Sequence, residues 1–215
     1  MLKAVLFDFD GTLMDSIDSV MATFAKTAEA LQVEFSMEEA RAQIGKPLIT
    51  TGDVLIGPGW GQRFLDEYCL HYPACCEGNI RFYPQVEDML RALQAQNITV
   101  CVVTSKRRDS ALMNLDMAGG RALIDVLVPL EEHPKPKPGP EPVLFALQKL
   151  GIRAEDTVMV GDACYDILSG NSAGVRTIAV TWGAGTRESL QEAQPTYTVE
   201  TVADLSELLK TLINA

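Results

Sequence analysis

The chain has 215 residues, which is room for one domain or for a core domain with a small insert. Hydrophobic residues make up 47% and charged residues 22%, a globular composition, and the formal net charge of −11 argues against a nucleic-acid-binding protein, which needs a basic face. No segment approaches the roughly 20 apolar residues that span a bilayer, and the N-terminus lacks a secretory signal, so we expect a cytoplasmic protein without membrane contacts.

Short apolar runs alternate with helical patterns along most of the chain. Five runs rich in β-branched residues predict buried strands: Ala4–Phe7, Ile98–Val103, Leu123–Val128, Thr157–Val160 and Val175–Val180. Five stretches have helical length and spacing: Val86–Gln96, Arg108–Ala118, Pro140–Leu150, Tyr165–Ala173 and Val202–Ile213, the last with Thr201 as its N-cap. This repetition is typical of a parallel sheet with helices on both faces, so we predict an α/β, Rossmann-like doubly wound core.

One segment after the first strand breaks the alternation. It contains no convincing strand and carries three helical patterns, at Ile17–Leu31, Met37–Gln43 and Gln62–Tyr72. Ser36 and Glu39 have the spacing of a capping box, which indicates that a helix begins there. We therefore predict a small helical domain over residues 16–82, inserted into a core formed by residues 1–15 and 83–215.

Polar side chains follow the predicted strands at the point where each strand ends. In chain order they are Asp8 and Asp10, Thr104, Lys135 and Lys137 on a proline-rich segment, and Asp162 with Asp166. The prolines predict that His133–Pro142 is an extended loop. Because ligands of open α/β sheets bind outside the carboxyl ends of the strands, we expect these side chains to form one site.

The acidic residues come in two pairs. Asp8 and Asp10 are two residues apart, so in an extended chain their side chains point the same way. Asp162 and Asp166 are four apart, which stacks them on one side of a starting helix. Each aspartate alone is typical of a turn or a helix N-cap, but two pairs at one sheet edge favour a cation that offsets their repulsion. An all-oxygen ligand set suits Mg²⁺.

Two other residue types fit an anionic ligand beside that cation. Thr104 precedes a predicted helix, whose first amides and neighbouring hydroxyl form an anion-binding corner. Lys135 and Lys137 each supply a positive charge on a proline-restrained segment, although a solvated loop lysine is the ordinary interpretation of either one. Metal, lysine, hydroxyl and amides together neutralise a phosphoryl group.

These residues resemble the motifs of a known family. Four segments resemble, in order, the four motifs of the haloacid dehalogenase superfamily: Asp8-Phe9-Asp10-Gly11-Thr12-Leu13, Thr104, Lys137-Pro138-Gly139-Pro140 and Gly161-Asp162-Ala163-Cys164-Tyr165-Asp166. The helical insert is similar to the small helical cap of that superfamily. Within it, the chain is most similar to phosphoglycolate phosphatases and the related pyrophosphatase branch. The Lys-Pro-x-Pro pattern of the third motif favours Lys137 over Lys135.

The resemblance implies a role for each matching residue. Asp8 is expected to be the nucleophile that forms an aspartyl-phosphate, and Asp10 the general acid and then the base. Thr104 and Lys137 are expected to hold the transferring phosphoryl oxygens. The second aspartate of the first motif implies a phosphate ester or anhydride as the substrate, a small phosphorylated metabolite.

The resemblance also implies a Mg²⁺ cofactor. Its expected ligands are Asp8, the backbone carbonyl of Asp10, and Asp162, with Asp166 acting through a water or as an orienting group. Lys46 and the run Lys106-Arg107-Arg108 are candidate contacts for the rest of the substrate. Two alternatives stay open: a phosphosugar mutase of the β-phosphoglucomutase type, and a catalytically silent binding protein. We expect a monomer or a homodimer.

Overall fold

The computed structural model describes residues 1–215 and contains eight strands and ten α-helices. The strands are β1 (Ala4–Phe7), β2 (Met14–Asp15), β3 (Arg81–Phe82), β4 (Thr99–Val103), β5 (Val126–Val128), β6 (Thr157–Gly161), β7 (Arg176–Val180) and β8 (Tyr197–Val199). The helices are α1 (Ile17–Leu31), α2 (Met37–Arg41), α3 (Leu48–Leu55), α4 (Gly61–Cys76), α5 (Val86–Ala95), α6 (Arg108–Met117), α7 (Glu141–Leu150), α8 (Cys164–Ser172), α9 (Arg187–Glu192) and α10 (Val202–Asn214). None of these helices combines the length and apolar character that crossing a bilayer requires.

Six strands form one parallel sheet in the order β5-β4-β1-β6-β7-β8. The residues of β1 and β6 are buried throughout, which explains why these strands read as continuous apolar runs rather than alternating patterns. The chain runs from β1 to β4 and β5 on one side and then crosses to β6 on the other side. The predicted α/β, doubly wound sheet is confirmed, and its strand order changes direction beside β1.

The helices α1 to α4 lie between two short strands of the chain. Strands β2 and β3 pair antiparallel, with Met14 opposite Phe82, and this ribbon joins both ends of the helical segment to the sheet. Inside the segment α1 packs on α4 through aromatic rings: the centroid of Phe24 is 5.7 Å from that of Phe64 and 5.5 Å from that of Tyr68. These buried rings belong to the same apolar cluster as the sheet.

Both predicted N-caps have the expected geometry. The Ser36 hydroxyl accepts a hydrogen bond from the Glu39 amide at 3.4 Å, and the Thr201 hydroxyl accepts one from the Asp204 amide at 3.1 Å. These side chains fix the first residues of α2 and α10, so both helices begin where the sequence indicated.

Several elements differ from the prediction. Helices α3 and α9 and strands β2, β3 and β8 were not predicted. Helix α4, which was predicted to end at Tyr72, continues past Pro73 to Cys76. The segment His133–Pro142 is not extended to its end, because α7 begins at Glu141. A proline in the first turn of a helix is tolerated, since its missing N–H has no partner within the helix there.

Candidate active site

The predicted site residues meet at the carboxyl edge of the parallel sheet. Asp8 directly follows β1, Thr104 follows β4 and Asp162 follows β6, so three neighbouring strands each deliver one polar side chain. All three side chains are buried. The strand order explains the convergence, because β4 and β6 flank β1 on either side.

Lys137 links two of the aspartates. Its Nζ donates to Asp8 Oδ1 at 2.5 Å, to Asp166 Oδ1 at 2.5 Å and to the Val103 carbonyl at 3.2 Å. Lys135, by contrast, is 73% exposed and pairs with Glu141 on the surface. The two lysines that the sequence left as alternatives are therefore separated by geometry, and Lys137 is the one at the sheet edge.

The electrostatics of this cluster are set by burial and charge together. Burial alone lowers the pKa of Lys137, but the carboxylates of Asp166 and Asp8 outweigh it and hold the pKa above its usual range. Burial raises the pKa of Asp8 well above its usual range; Lys137 opposes that rise, while Asp166 and Asp162 add to it. The lysine thus remains charged, and the carboxylates repel one another.

Asp162 completes a buried group of three carboxylates. Ligand oxygens of Asp8, Asp162 and Asp166 lie within 4.8 Å of one another. The Asp162 oxygens accept hydrogen bonds from the Thr12 hydroxyl at 2.7 Å and the Ala184 amide at 2.8 Å. Burial and the neighbouring Asp166 nevertheless raise the pKa of Asp162 to about 7. Three carboxylates this close together are a set of oxygen donors that a hard divalent cation would stabilise.

Two glycines make room for the Asp162 carboxylate. Gly11 has a φ of +86°, a left-handed conformation, and a Cβ there would overlap the carboxylate of Asp162. Gly183 lies in the loop after β7, and a Cβ at that position would overlap the same carboxylate. The backbone therefore approaches this side chain closely from two loops.

Asp10 lies apart from the three carboxylates and is held by Lys106. The Lys106 Nζ is 2.9 Å from each carboxylate oxygen of Asp10, and the Ser16 hydroxyl donates to Asp10 Oδ1 at 2.6 Å. On its other side Lys106 lies 4.4 Å from the centre of the Tyr72 ring of α4. Lys106 was predicted as a substrate contact, but in the structure its charge is directed to Asp10.

A cavity of about 170 Å³ opens above these residues. Asp8, Asp10 and Thr104 line its base, and side chains from α1 and α4 line the opposite walls. Lys46, in the turn before α3, also lines this cavity. The helical segment therefore covers the carboxyl edge of the sheet where the polar residues converge.

Several residues support the site although the sequence predicted no role for them. Thr12 and Ala184 hold Asp162, and Ser16 holds Asp10. The Trp182 indole N–H also donates to the Thr12 carbonyl at 3.1 Å. One signal was present: Gly183-Ala184-Gly185 follows an apolar run, at the same sheet edge as the aspartates. Small residues there permit a close backbone approach.

A sheet-edge group of carboxylates and a lysine, covered by a helical segment, defines a class of hydrolases. The family model described as "Haloacid dehalogenase-like hydrolase" matches residues 5–180. The chain belongs to this family. Among curated relatives, "Pyrophosphatase PpaX" of Oceanobacillus iheyensis is 33% identical over 204 residues, covering 95% of each chain. "Pyrophosphatase PpaX" of Bacillus pumilus is 34% identical, covering 95% of this chain and 94% of its own.

Solved structures share the fold. The "predicted phosphoglycolate phosphatase" of Haemophilus somnus superposes with a TM-score of 0.87 at 22% identity, covering 97% of this chain and 98% of its own. A hydrolase of Pseudomonas syringae superposes with a TM-score of 0.88 at 23% identity, covering 97% of this chain and 98% of its own. At these identities the likeness concerns the fold, including the helical segment and the sheet.

Proposed function

We propose that the protein is a Mg²⁺-dependent phosphatase that hydrolyses a small phosphorylated metabolite through an aspartyl-phosphate. The observation that carries the proposal is the buried group of Asp8, Asp162 and Asp166, in which Lys137 joins Asp8 to Asp166. Asp8 lies at the base of a cavity of about 170 Å³. The names of the curated relatives, pyrophosphatases, support phosphorus–oxygen bond hydrolysis.

In the first step, a carboxylate oxygen of Asp8 attacks phosphorus. A phosphorus–oxygen bond to Asp8 forms while the bond to the leaving-group oxygen breaks, and that oxygen takes a proton from Asp10. Thr104, which lines the cavity beside Asp8, and Lys137, whose Nζ lies 2.5 Å from Asp8, hold the phosphoryl oxygens as negative charge moves among them.

In the second step, water attacks the phosphorus of the aspartyl-phosphate. Asp10 accepts a proton from this water, the bond between Asp8 and phosphorus breaks, and orthophosphate leaves. Asp8 is then a carboxylate again, and Asp10 carries the proton for the next cycle. Lys106 and Ser16 orient Asp10 during both proton transfers.

The donor set fits a Mg²⁺ ion. Its proposed ligands are Asp8, the backbone carbonyl of Asp10, and Asp162, while Asp166 acts through a water or orients Lys137. When bound, Mg²⁺ would neutralise charge on the phosphoryl group and on the carboxylates. The raised pKa of Asp162 supports this assignment, because a cation removes the repulsion that resists its ionisation.

The proposal assigns separate tasks to two parts of the chain. Residues 1–15 and 83–215 form the catalytic core, and residues 16–82 form a cap that covers the site and excludes water during transfer. The ribbon of β2 and β3, which connects both ends of the helical segment to the core, supports this division. A cytoplasmic location and a monomeric or homodimeric state stay predictions.

A phosphosugar mutase of the β-phosphoglucomutase type uses the same four motifs. It differs in the acceptor, since a second sugar hydroxyl rather than water takes the phosphoryl group from Asp8. A silent binding protein is the other alternative; Asp8, Asp10, Lys137 and Asp162 are all present here, which favours activity.

The test is phosphate release from a panel of phosphorylated compounds, with and without Mg²⁺. The panel contains phosphoglycolate, pyrophosphate, hexose phosphates, nucleotides and p-nitrophenyl phosphate. We expect Mg²⁺-dependent release that Asp8→Asn lowers by at least about a thousandfold, because the amide is a poor nucleophile.

A matched control is Asp18→Asn, an exposed aspartate in the first turn of α1. It should retain the wild-type rate with every compound. Absence of phosphate release from the whole panel would contradict the phosphatase assignment. Conversion of a hexose 1-phosphate to its 6-phosphate without phosphate release would identify a mutase instead.

A further inference from the structure

The cavity above Asp8 has two chemically different sides. Its base carries the polar residues Asp8, Asp10 and Thr104. The side contributed by the helical segment is mainly apolar and aromatic, and its polar side chains include Gln43 and Lys46. Its apolar and aromatic residues include Val20, Phe24, Ile44, Leu48, Leu65 and Tyr68. A phosphoryl group bound at the base would direct its leaving group toward this apolar side.

Two of the three cations that line the cavity, Lys106 and Arg107, already have carboxylate partners. Lys106 contacts both oxygens of Asp10 at 2.9 Å. Arg107 has Asp109 at 3.4 Å on one side and Glu131 at 3.9 Å on the other. Neither cation offers an uncompensated charge to a ligand in the cavity.

Lys46 is the cavity-lining cation without a carboxylate partner. Its Nζ donates to Gln43 Oε1 at 2.8 Å and lies 5.1 Å from the centre of the Tyr165 ring. A leaving phosphate carries more than one negative charge, so one lysine among apolar walls leaves part of that charge unpaired. Burying an unpaired charge against apolar surface is strongly unfavourable.

Given the phosphatase reaction proposed above, on which this inference rests, we infer that the leaving group is the apolar organic part of a phosphate monoester. A second phosphoryl group, as in pyrophosphate, would place unpaired negative charge against the apolar walls of the cavity. The chain therefore differs in substrate from what the names of its pyrophosphatase relatives suggest. The apolar side of the cavity binds the hydrocarbon part of the leaving group, and the residues at the sheet edge hydrolyse the phosphate ester.

The first test uses a homologous series of methyl, ethyl, n-propyl and n-butyl phosphates. From ethyl onward the leaving alcohols have similar basicity, so differences in kcat/KM report burial of the chain rather than chemistry. We expect kcat/KM to rise about fourfold with each added methylene, the change that burying one CH₂ produces. A rise below about twofold per methylene would overturn the inference.

The second test compares p-nitrophenyl phosphate with pyrophosphate. Their leaving groups, p-nitrophenolate and phosphate, have similar basicity, but p-nitrophenolate spreads one negative charge over an aromatic ring and phosphate carries more than one charge without hydrocarbon. We expect kcat/KM for p-nitrophenyl phosphate to exceed that for pyrophosphate by at least about tenfold, because apolar walls disfavour the more highly charged group. An equal or higher value for pyrophosphate would overturn the inference.

Two variants of α3 locate the effect in the cavity. Ile49 lines the cavity and is 46% exposed. Ile49→Ser therefore removes an apolar side chain from the cavity wall without creating a void in the hydrophobic core. Val54, on the same helix, is 58% exposed and lies outside the cavity. Ile49→Ser should reduce the increase in kcat/KM per added methylene, and Val54→Ser should leave that increase unchanged. Equal effects of the two variants would contradict a role of this wall.

The outcomes separate this inference from the proposed function. If neither an ester nor pyrophosphate is hydrolysed in the presence of Mg²⁺, the phosphatase assignment itself fails. Mg²⁺-dependent hydrolysis of esters can also occur with a kcat/KM that does not change with chain length, or that is higher for pyrophosphate. In that case only the inferred substrate class is wrong.

Discussion

At the scale of single residues, the contact between Lys106 and Asp10 has a direct consequence for catalysis. Lys106→Met keeps the length of the side chain against Tyr72 but removes the two hydrogen bonds at 2.9 Å to Asp10. Asp10 then loses its fixed position. The fall in kcat/KM should therefore be largest for substrates whose leaving group must be protonated. We expect kcat/KM for an alkyl phosphate to fall about a hundredfold, and that for p-nitrophenyl phosphate by less than about tenfold.

The matched control for this prediction is Lys135→Met, because Lys135 is 73% exposed and pairs with Glu141 on the surface. Lys135→Met should change kcat/KM neither for the alkyl phosphate nor for p-nitrophenyl phosphate. An equal loss with alkyl and p-nitrophenyl phosphates in Lys106→Met would mean that the lysine acts on the phosphoryl group instead of on Asp10.

The same contact shows what the sequence could reveal at this scale. The types and spacing of Asp8, Asp10, Asp162 and Asp166 were enough to place four carboxylates at one edge, because strand ends of a parallel sheet coincide. The direction of a long side chain such as that of Lys106 depends on neighbours far along the chain, and residue spacing carries no information about them.

At the scale of elements, the loop after β7 supports Asp162. A Cβ on Gly183 would overlap the carboxylate, so Gly183→Ala forces either the loop or Asp162 to move. We expect a loss of about 1–3 kcal/mol in the free energy of unfolding, measured in urea, and a rise of about tenfold in the Mg²⁺ concentration for half-maximal activity.

Gly174→Ala is the control for that variant. Gly174 has a φ of +77° but no atom within 4 Å of its Cβ position, so alanine strains only the local backbone. It should lower stability without changing the Mg²⁺ requirement. A normal Mg²⁺ requirement in Gly183→Ala would show that the loop does not position Asp162.

The elements that the sequence predicted and those that it missed differ in what stabilises them. Long apolar runs such as β1 and amphipathic helices such as α5 carry their burial pattern in the sequence itself. Helix α3 contains two adjacent threonines and Gly52, which are poor helix formers, and it is held by packing: a Cβ on Gly52 would contact Phe64. Strand β3 has two residues and exists through its pairing with β2. Such tertiary support has no local signature.

At the scale of the whole molecule, the buried carboxylates couple stability to pH and to the cation. Burial and Asp166 raise the pKa of Asp162 to about 7, so between its ordinary value and about pH 7 the folded protein holds a proton that the unfolded chain has lost. The free energy of unfolding without metal therefore falls as the pH rises through this window. The proton competes with the cation for the same oxygens, so Mg²⁺ binds better at higher pH.

Melting temperatures at pH 5.5 and pH 8, with and without saturating Mg²⁺, test this coupling. We expect Mg²⁺ to raise Tm by about 3 °C or more at pH 8 and by less than about 1 °C at pH 5.5. Asp162→Asn removes one of the two raised carboxyl titrations and one proposed ligand. It should therefore weaken the pH dependence of Tm without metal, because Asp8 still titrates, and it should abolish the Mg²⁺-induced rise in Tm. An equal Mg²⁺ shift of the wild type at both pH values would mean that the cation binds elsewhere than at the buried carboxylates.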